Sequence, residues 1–169
     1  MRLPGAACVA VATCFHLSYI PAKLFKGTRV RGVRWTGAGF IGTLAGAALL
    51  PFIPEAPGPQ GVVLAAAVLA AVFVSGVAER ELGTHDDPRI CVDETVGYWA
   101  AVALLPRTWP VLAAGFVVFR VLDAVKLPPY RWLDRLPGGW GVVLDDVGAG
   151  VATNLILRGL LALWPRLAS

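Results

Sequence analysis

Residues 61–78 read GVVLAAAVLAAVFVSGVA, a run of 18 residues that contains no charged side chain. At about 1.5 Å of rise per residue, a helix of this length extends about 27 Å, close to the ~30 Å hydrocarbon core of a bilayer. The whole chain of 169 residues has the same character, since 57% of it is hydrophobic and 15% is charged; soluble domains average about 45–50% and 25%. This composition excludes a disordered chain, a coiled coil and a nucleic-acid-binding arm. It predicts an all-α fold, a small integral membrane helical bundle that forms a single domain over residues 1–169.

Other apolar segments predict further helices around this one. Residues 6–20 predict a first helix that is retained rather than a cleaved signal peptide, because more apolar segments of membrane length follow it. Residues 36–53 are rich in small residues, which let helix backbones approach closely in lipid. Residues 147–164 predict the last helix.

Residues 92–126 contain two apolar runs separated by Pro106 and Pro110. One straight helix through both prolines is disfavoured, because each proline removes a backbone hydrogen bond and clashes with the preceding turn. The region therefore predicts a proline-split helical hairpin, with arms at residues 92–105 and 109–126 and its tip at Arg107. The first arm is short for a membrane-spanning helix.

The charges are gathered rather than spread along the chain. Basic residues follow the apolar segments 6–20 and 61–78 and the second arm of the hairpin. All 11 acidic residues except Glu55 lie in these regions as well. The linker at 54–60 holds no Lys or Arg. By the positive-inside rule, the charged regions are expected on the cytoplasmic side of the membrane and the linker on the other side. This pattern predicts a multi-pass membrane protein with its polar motifs at the cytoplasmic face.

The acidic residues form two clusters. Six fall within residues 79–94 and four within residues 120–146. Crowded carboxylates repel one another and favour bound cations, and oxygen-rich sites suit hard ions such as Mg²⁺. The alternative interpretation is that these are solvated loop charges and helix caps, with Asp145 and Asp146 capping the last helix.

Fixed cations accompany the second cluster. Arg120, Asp123 and Lys126 recur every three residues, so they are expected near one face of a helix. Carboxylates that hold a metal, together with Lys or Arg that hold an anion, are the groups that phosphate chemistry requires.

Three motifs in this order resemble the phosphatidylglycerophosphatase A family. The first is Glu79…Leu82-Gly83…His85-Asp86 followed by Asp93-Glu94-x-Val96-Gly97-x-Trp99. The second is Phe119-Arg120-x-x-Asp123-x-x-Lys126 followed by Pro129, Arg131 and Asp134. The third is Gly138-Gly139-x-Gly141-x-x-x-Asp145-Asp146-x-x-Ala149-Gly150. The resemblance covers about 79–150 and implies an all-helical, Mg²⁺-dependent bacterial phosphatase that removes the terminal phosphate of phosphatidylglycerophosphate to give phosphatidylglycerol.

The N-terminal part departs from the family pattern. Residues 15–21 lack the glycines that the family usually has there, and a basic stretch at 22–35 is inserted. Leu127 also stands where the family commonly has a proline. The basic stretch is interpreted either as a collar for anionic lipid heads or as ordinary positive-inside charge.

The resemblance and the charge pattern together assign roles to particular residues. The catalytic candidates are His85, Asp86 and Asp146. The candidates for binding the anionic phospholipid substrate are Arg120, Lys126 and Arg131. The Mg²⁺ ligand candidates are Glu79, Asp86, Asp93, Glu94, Asp123, Asp145 and Asp146.

Other functions remain open at this point. A cation-transporting or non-catalytic small membrane protein is one alternative, since acids at membrane depth also mark ion paths. A related phosphatase that acts on a different phospholipid or on a prenyl phosphate is another. A nucleic-acid partner is not expected.

Overall fold

The long uncharged segment folds as a single helix in a computed structural model, which describes residues 3–24, 29–30, 33–34, 37–84, 87–125, 128 and 130–164. The described part is helical, as the sequence predicts, apart from one two-residue antiparallel pair in which Arg29 lies opposite Arg34. Its α-helices are α1 (Leu3–Ala12), α2 (Tyr19–Leu24), α3 (Ala38–Leu49), α4 (Pro57–Leu82), α5 (Val92–Val102), α6 (Trp109–Val125) and α7 (Gly139–Leu163). The remaining elements are β1 (Arg29–Val30), β2 (Val33–Arg34) and the 3-10 turns Leu50–Phe52 and Tyr130–Arg135.

Helices α4 and α7 are the two longest. They contain 26 and 25 residues, with mean hydropathies of 2.5 and 1.3 in their most apolar windows, and they extend about 39 and 38 Å. Helix α4 begins with Pro57 in its first turn and ends where Gly83 takes a left-handed conformation (φ 72°), the usual signals for a helix start and stop. By length and composition, both helices are able to cross a bilayer.

The hairpin predicted around Arg107 is confirmed. Helix α5 ends at Val102 and α6 begins at Trp109, so the first arm stops three residues earlier than expected. Leu104 turns the chain with a positive φ of 57°. The arms pack against each other, and the Tyr98 hydroxyl donates a hydrogen bond of 3.0 Å to the Leu112 carbonyl.

A side chain of α7 caps the end of α5 at the hairpin turn. The Asn154 amide on α7 donates to the carbonyls of Ala100, Ala101 and Ala103 at 3.3, 3.0 and 2.9 Å. Buried backbone carbonyls at a helix end need such partners, because leaving them unpaired costs free energy. The turn between α5 and α6, residues 103–108, is therefore held by α7, and we call it the hairpin end.

Replacing Asn154 with leucine, which has a similar size, is expected to lower the free energy of unfolding by about 1–3 kcal/mol, because carbonyls at the end of α5 lose their donor. Thermal unfolding of the purified protein in detergent measures the change. Leu155→Ala, at the exposed neighbouring position, is the control and should change stability little. Equal stability of Asn154→Leu and the wild type would refute the capping role.

Glycines set the spacing between α3, α5 and α7. A Cβ atom at Gly42 of α3 would overlap the Cys91 carbonyl, and one at Gly150 of α7 would overlap the Gly97 carbonyl of α5. Thr95 reinforces the first contact by donating a 2.9 Å hydrogen bond to the Gly42 carbonyl. The predicted helix at 36–53 is confirmed as α3 and its 3-10 turn, and its small residues face α5.

The prediction of one helix over residues 6–20 is wrong. Helix α1 ends at Ala12, and Cys14, Phe15 and His16 all take positive φ angles of 49–65°, a conformation that a continuous α-helix excludes. Long-range contacts hold the turn in place, since the Ala12 carbonyl accepts a 2.8 Å hydrogen bond from the Cys91 amide. The Cys14 and Cys91 sulfurs lie 2.9 Å apart as free thiols.

The predicted start of the last helix at residue 147 is also wrong, and so is the alternative interpretation that Asp145 and Asp146 cap it. Helix α7 begins six residues earlier, at Gly139, and Gly138 precedes it with a φ of 60°. Gly139 packs directly on α4, where a Cβ atom would overlap the Val72 carbonyl. The glycine-rich residues 138–141 therefore form the start of a closely packed helix, and Asp145 and Asp146 lie inside that helix.

Candidate active site

Three carboxylates from two helices meet inside the protein. Asp93 and Glu94 lie in the first turn of α5, and Asp146 lies in the second turn of α7. One carboxylate oxygen of each lies within 4.8 Å of the others. Asp93 and Asp146 are 7% and 4% exposed, and the Glu94 side chain is 13% exposed. We call these three residues the acid triad.

Close helix packing produces the acid triad. A Cβ atom on Gly97 would lie 3.0 Å from the Asp146 carbonyl oxygen and 2.8 Å from the Phe119 ring. Gly97 follows Asp93 by one turn of α5, so the backbone of α7 at Asp146 lies against the same part of α5. A side chain at position 97 would push the two helices apart and separate the carboxylates.

The electrostatics of the acid triad favour a bound cation. Oδ2 of Asp146 and Oε2 of Glu94 are buried and have no hydrogen-bond partner among the described residues. Burying an ionised carboxylate without a compensating partner is costly, and neighbouring carboxylates increase the cost. Asp123 and Asp145 lie close enough to Asp146 to add to this repulsion. The site therefore fits a small multivalent cation that prefers oxygen ligands.

Arg120 on α6 is the cation beside the acid triad. Its Nη1 atom lies 3.9 Å from Glu94 Oε1 and 2.7 Å from Asp123 Oδ2. About 20% of its side chain remains exposed, so Arg120 reaches the surface of the protein. The predicted neighbours Arg120 and Asp123 are thus brought to the acid triad.

Gly39 of α3 packs directly against Glu94 and Arg120. A Cβ atom there would overlap Glu94 Oε1 and would come within 2.7 and 2.9 Å of the Arg120 guanidinium nitrogens. Gly39 is not among the functional residues predicted from the sequence. Its signal was the small-residue pattern of residues 36–53, which indicated helix packing alone.

The other candidates differ in position. Asp145 is buried beside Asp146, and Glu79 is buried in the last turns of α4, but neither joins the acid triad within its 4.8 Å spacing. His85, Asp86 and Lys126 lie outside the described residues. Arg131 lies in the 3-10 turn Tyr130–Arg135, and its side chain is also outside the described part.

An ion pair between Arg89 and Asp87 lies shortly before α5. Arg89 donates two hydrogen bonds of 2.7 and 2.6 Å to Asp87, and the Thr84 hydroxyl donates one of 3.0 Å. Burial alone would raise the pKa of Asp87, but the hydrogen bonds from Arg89 and Thr84 outweigh it and hold this pKa below its usual range. Asp87 therefore serves the loop as a paired carboxylate.

Comparison with known proteins identifies the family of the chain. The family model described as phosphatidylglycerophosphatase A matches residues 10–161. The chain belongs to this family. The match extends beyond the residues 79–150 that carried the resemblance and includes the whole acid triad, Arg120 and Gly39. Membership of the phosphatidylglycerophosphatase A family and the two long apolar helices indicate association with a membrane.

Two relatives illustrate the family. The chain is 39% identical over 100 residues to phosphatidylglycerophosphatase A of Escherichia coli (strain K12), an alignment that spans 58% of this chain and 58% of that protein. It is 32% identical over 145 residues to a Bacteroides thetaiotaomicron protein named "Putative phosphatidylinositol-3-phosphatase", covering 69% of this chain and 89% of the relative. No solved structure matches the chain.

Proposed function

We propose that this protein is a Mg²⁺-dependent lipid phosphatase that hydrolyses the terminal phosphate of phosphatidylglycerophosphate to give phosphatidylglycerol. The observation that carries the proposal is the buried acid triad with Arg120 at its edge, 3.9 Å from Glu94. Carboxylates alone would repel a phosphate, and Arg120 alone would have no means to activate water. Together they supply a cation site and an anion site next to each other, as phosphate hydrolysis requires.

The acid triad fits the proposed metal. Its donors are all carboxylate oxygens, which suit Mg²⁺ rather than a thiolate- or imidazole-seeking metal. Asp93, Glu94 and Asp146 would hold the ion, and the remaining predicted ligands would supply further or outer contacts; these are Glu79, Asp86, Asp123 and Asp145. When bound, Mg²⁺ would neutralise charge on the phosphoryl oxygens and polarise water.

The remaining roles belong to residues around the acid triad. Arg120 would bind the phosphate, since its planar guanidinium presents two parallel donors that match phosphate oxygens. Lys126 and Arg131 would extend this anion site. His85, Asp86 and Asp146 are proposed to orient the attacking water and to move the proton to the leaving alcohol, in an in-line displacement.

The proposed setting is the bacterial inner membrane, crossed several times, with the chain acting as one domain over residues 1–169. In support, Glu55 lies 3.8 Å from Arg107 at the hairpin end, whereas Asp93 and Glu94 lie at the other end of α5, in its first turn. The basic residues that flank the acidic clusters then favour a cytoplasmic active site. Its anionic phospholipid substrate would enter from the same membrane.

The test is phosphate release by the purified protein in detergent micelles with Mg²⁺ and phosphatidylglycerophosphate. Glycerol 3-phosphate provides a control for unspecific phosphatase activity. We expect rapid release from the lipid alone. No release from the lipid, with the protein folded and Mg²⁺ present, would refute the proposed function.

A related phosphatase of different specificity is the second candidate, because the Bacteroides relative is named for phosphatidylinositol 3-phosphate hydrolysis. The same micelle assay with that lipid decides between them through the ratio of kcat/KM values. Cation transport is less well supported, since no acidic residue lies between residues 56 and 78, within the most apolar helix.

Arg120→Lys is expected to raise KM for phosphatidylglycerophosphate and to leave metal binding in place. Lysine keeps the charge but loses the planar pair of donors. Hydrogen bonds to charged groups contribute about 1.5–3 kcal/mol, so the loss of one corresponds to about a tenfold to hundredfold rise in KM. Steady-state kinetics of phosphate release measure it, with Arg158→Lys, on the distal half of α7, as the control. An unchanged KM would remove Arg120 from the anion site.

A further inference from the structure

An apolar groove opens beside the acid triad, between α3 and α6. Its volume is about 430 Å³, and its walls include Phe40 from α3 and Phe116, Val117 and Val121 from α6. Phe40 and Phe116 meet edge to face, with ring centroids 5.3 Å apart at 80°. Small-molecule sites typically measure about 300–1,000 Å³ and are mainly apolar with a few placed polar groups.

Among the described residues that line this groove, Arg120 alone has a polar side chain, and it belongs to the proposed active site. Arg120 forms part of the groove wall and also lies 3.9 Å from Glu94. Arg120 is therefore shared between the wall of the groove and the edge of the acid triad. The residues along it are open to the side, since Phe40, Val117 and Val121 are 46%, 61% and 55% exposed.

A second cavity of the described part provides a contrast. It lies at the hairpin end, and polar groups line it, including Glu55, Gln60 and Arg107. Arg107 is already engaged there by the carbonyls of Leu50 and Pro54, at 2.9 and 3.2 Å. Apolar residues such as Leu104 and Leu105 also line this cavity, but neither Arg120 nor a residue of the acid triad does.

From this continuity we infer that the α3–α6 groove holds an acyl chain of the phospholipid substrate and so places its phosphate at Arg120. The inference rests on the proposed function and adds a binding subsite to it. An acyl chain that moves from lipid into the groove gains little hydrophobic free energy, because lipid tails are as apolar as the groove. The groove instead fixes the position and direction of the substrate, which lowers the entropic cost of bringing the phosphate to the site.

Filling the groove tests this inference. Val121→Trp places a large ring inside it, and Val151→Trp, at an exposed valine of α7, is the matched control. Kinetics are measured with diacyl phosphatidylglycerophosphate and with its deacylated headgroup, glycerophosphoglycerophosphate. Because the indole ring would exclude the acyl chain from the groove, we expect Val121→Trp to lower the ratio of kcat/KM for the diacyl over the deacylated substrate about tenfold. Val151→Trp should leave this ratio unchanged.

A labelling experiment does not depend on turnover. A diacyl phosphatidic acid with a diazirine in one acyl chain is added to micelles of the wild-type protein, and cross-linked peptides are identified after irradiation. We expect the label on residues 116–125 of α6, with a several-fold loss in Val121→Trp and none in Val151→Trp. Label spread evenly over the apolar faces of α4, α6 and α7 would overturn the groove assignment.

The outcomes separate the inference from the function beneath it. If the wild type hydrolyses diacyl phosphatidylglycerophosphate and Val121→Trp leaves the substrate ratio unchanged, the groove assignment is wrong and the phosphatase assignment stands. If the wild type hydrolyses neither substrate, the proposed function is wrong, and the labelling pattern alone decides whether the groove binds an acyl chain.

Discussion

Asp146→Asn is expected to reduce phosphate release from phosphatidylglycerophosphate by about a thousandfold, the scale on which the loss of a key electrostatic group acts. Asparagine has nearly the size of aspartate, so the packing of α7 on α5 is retained. The change removes one of three carboxylates that converge within 4.8 Å, and with it the charge that would hold Mg²⁺. It also removes repulsion from Asp123 and Asp145, so the folded state should be at least as stable as the wild type.

The control for this substitution is Glu55→Gln, the same chemical change at an exposed carboxylate of the hairpin end. It should leave activity unchanged. Thermal unfolding of both variants in detergent shows whether the fold is intact. Wild-type activity in Asp146→Asn would exclude this residue from the metal site and from catalysis.

Gly39→Ala is expected to reduce kcat/KM by about a hundredfold. The added Cβ would occupy the space of Glu94 Oε1 and approach the Arg120 guanidinium to 2.7 and 2.9 Å. Both side chains are able to move away because they are flexible, and the fold should therefore persist. Their displacement moves the metal ligand and the phosphate donor, and errors of about 1 Å in such groups cost about 10² in rate.

Gly61→Ala is the matched control, since a Cβ atom at that position of α4 meets nothing within 4 Å. Alanine there should leave activity unchanged and slightly raise helix stability. Both variants are assayed for phosphate release and for thermal unfolding. Full activity of Gly39→Ala would show that Glu94 and Arg120 do not act where this structure has them.

The helical class and the broken hairpin were predictable from the sequence because their causes are local. An uncharged run of 18 residues and two closely spaced prolines act through chain geometry and solvation, independently of distant residues. The family was predictable for a similar reason, since its motifs carry residue types at fixed spacings.

The two wrong predictions depend on contacts between distant residues. The turn at Cys14–His16 interrupts an apolar segment that reads as one helix, and it is held by a hydrogen bond between Ala12 and Cys91. The start of α7 at Gly139 depends on its packing against Val72 of α4. Neither contact leaves a local signal in the sequence.

The acid triad illustrates the same limit. Seven carboxylates were candidates for the metal site, and their spacing along the chain could not rank them. The close approach of α5 and α7 at Gly97 and Gly150 brings three of them together. The roles of those outside the described residues, such as Asp86, stay predictions.

Hydrolysis of the lipid phosphate is proposed to require a divalent cation in the acid triad. The most direct measurement is phosphate release from phosphatidylglycerophosphate by protein stripped with EDTA, followed as Mg²⁺ is added back. We predict that activity falls to background after stripping and returns with saturable dependence on Mg²⁺, and that Asp146→Asn shows no such return at the same concentrations. Full activity of the stripped protein without added Mg²⁺ would refute the requirement for a divalent cation.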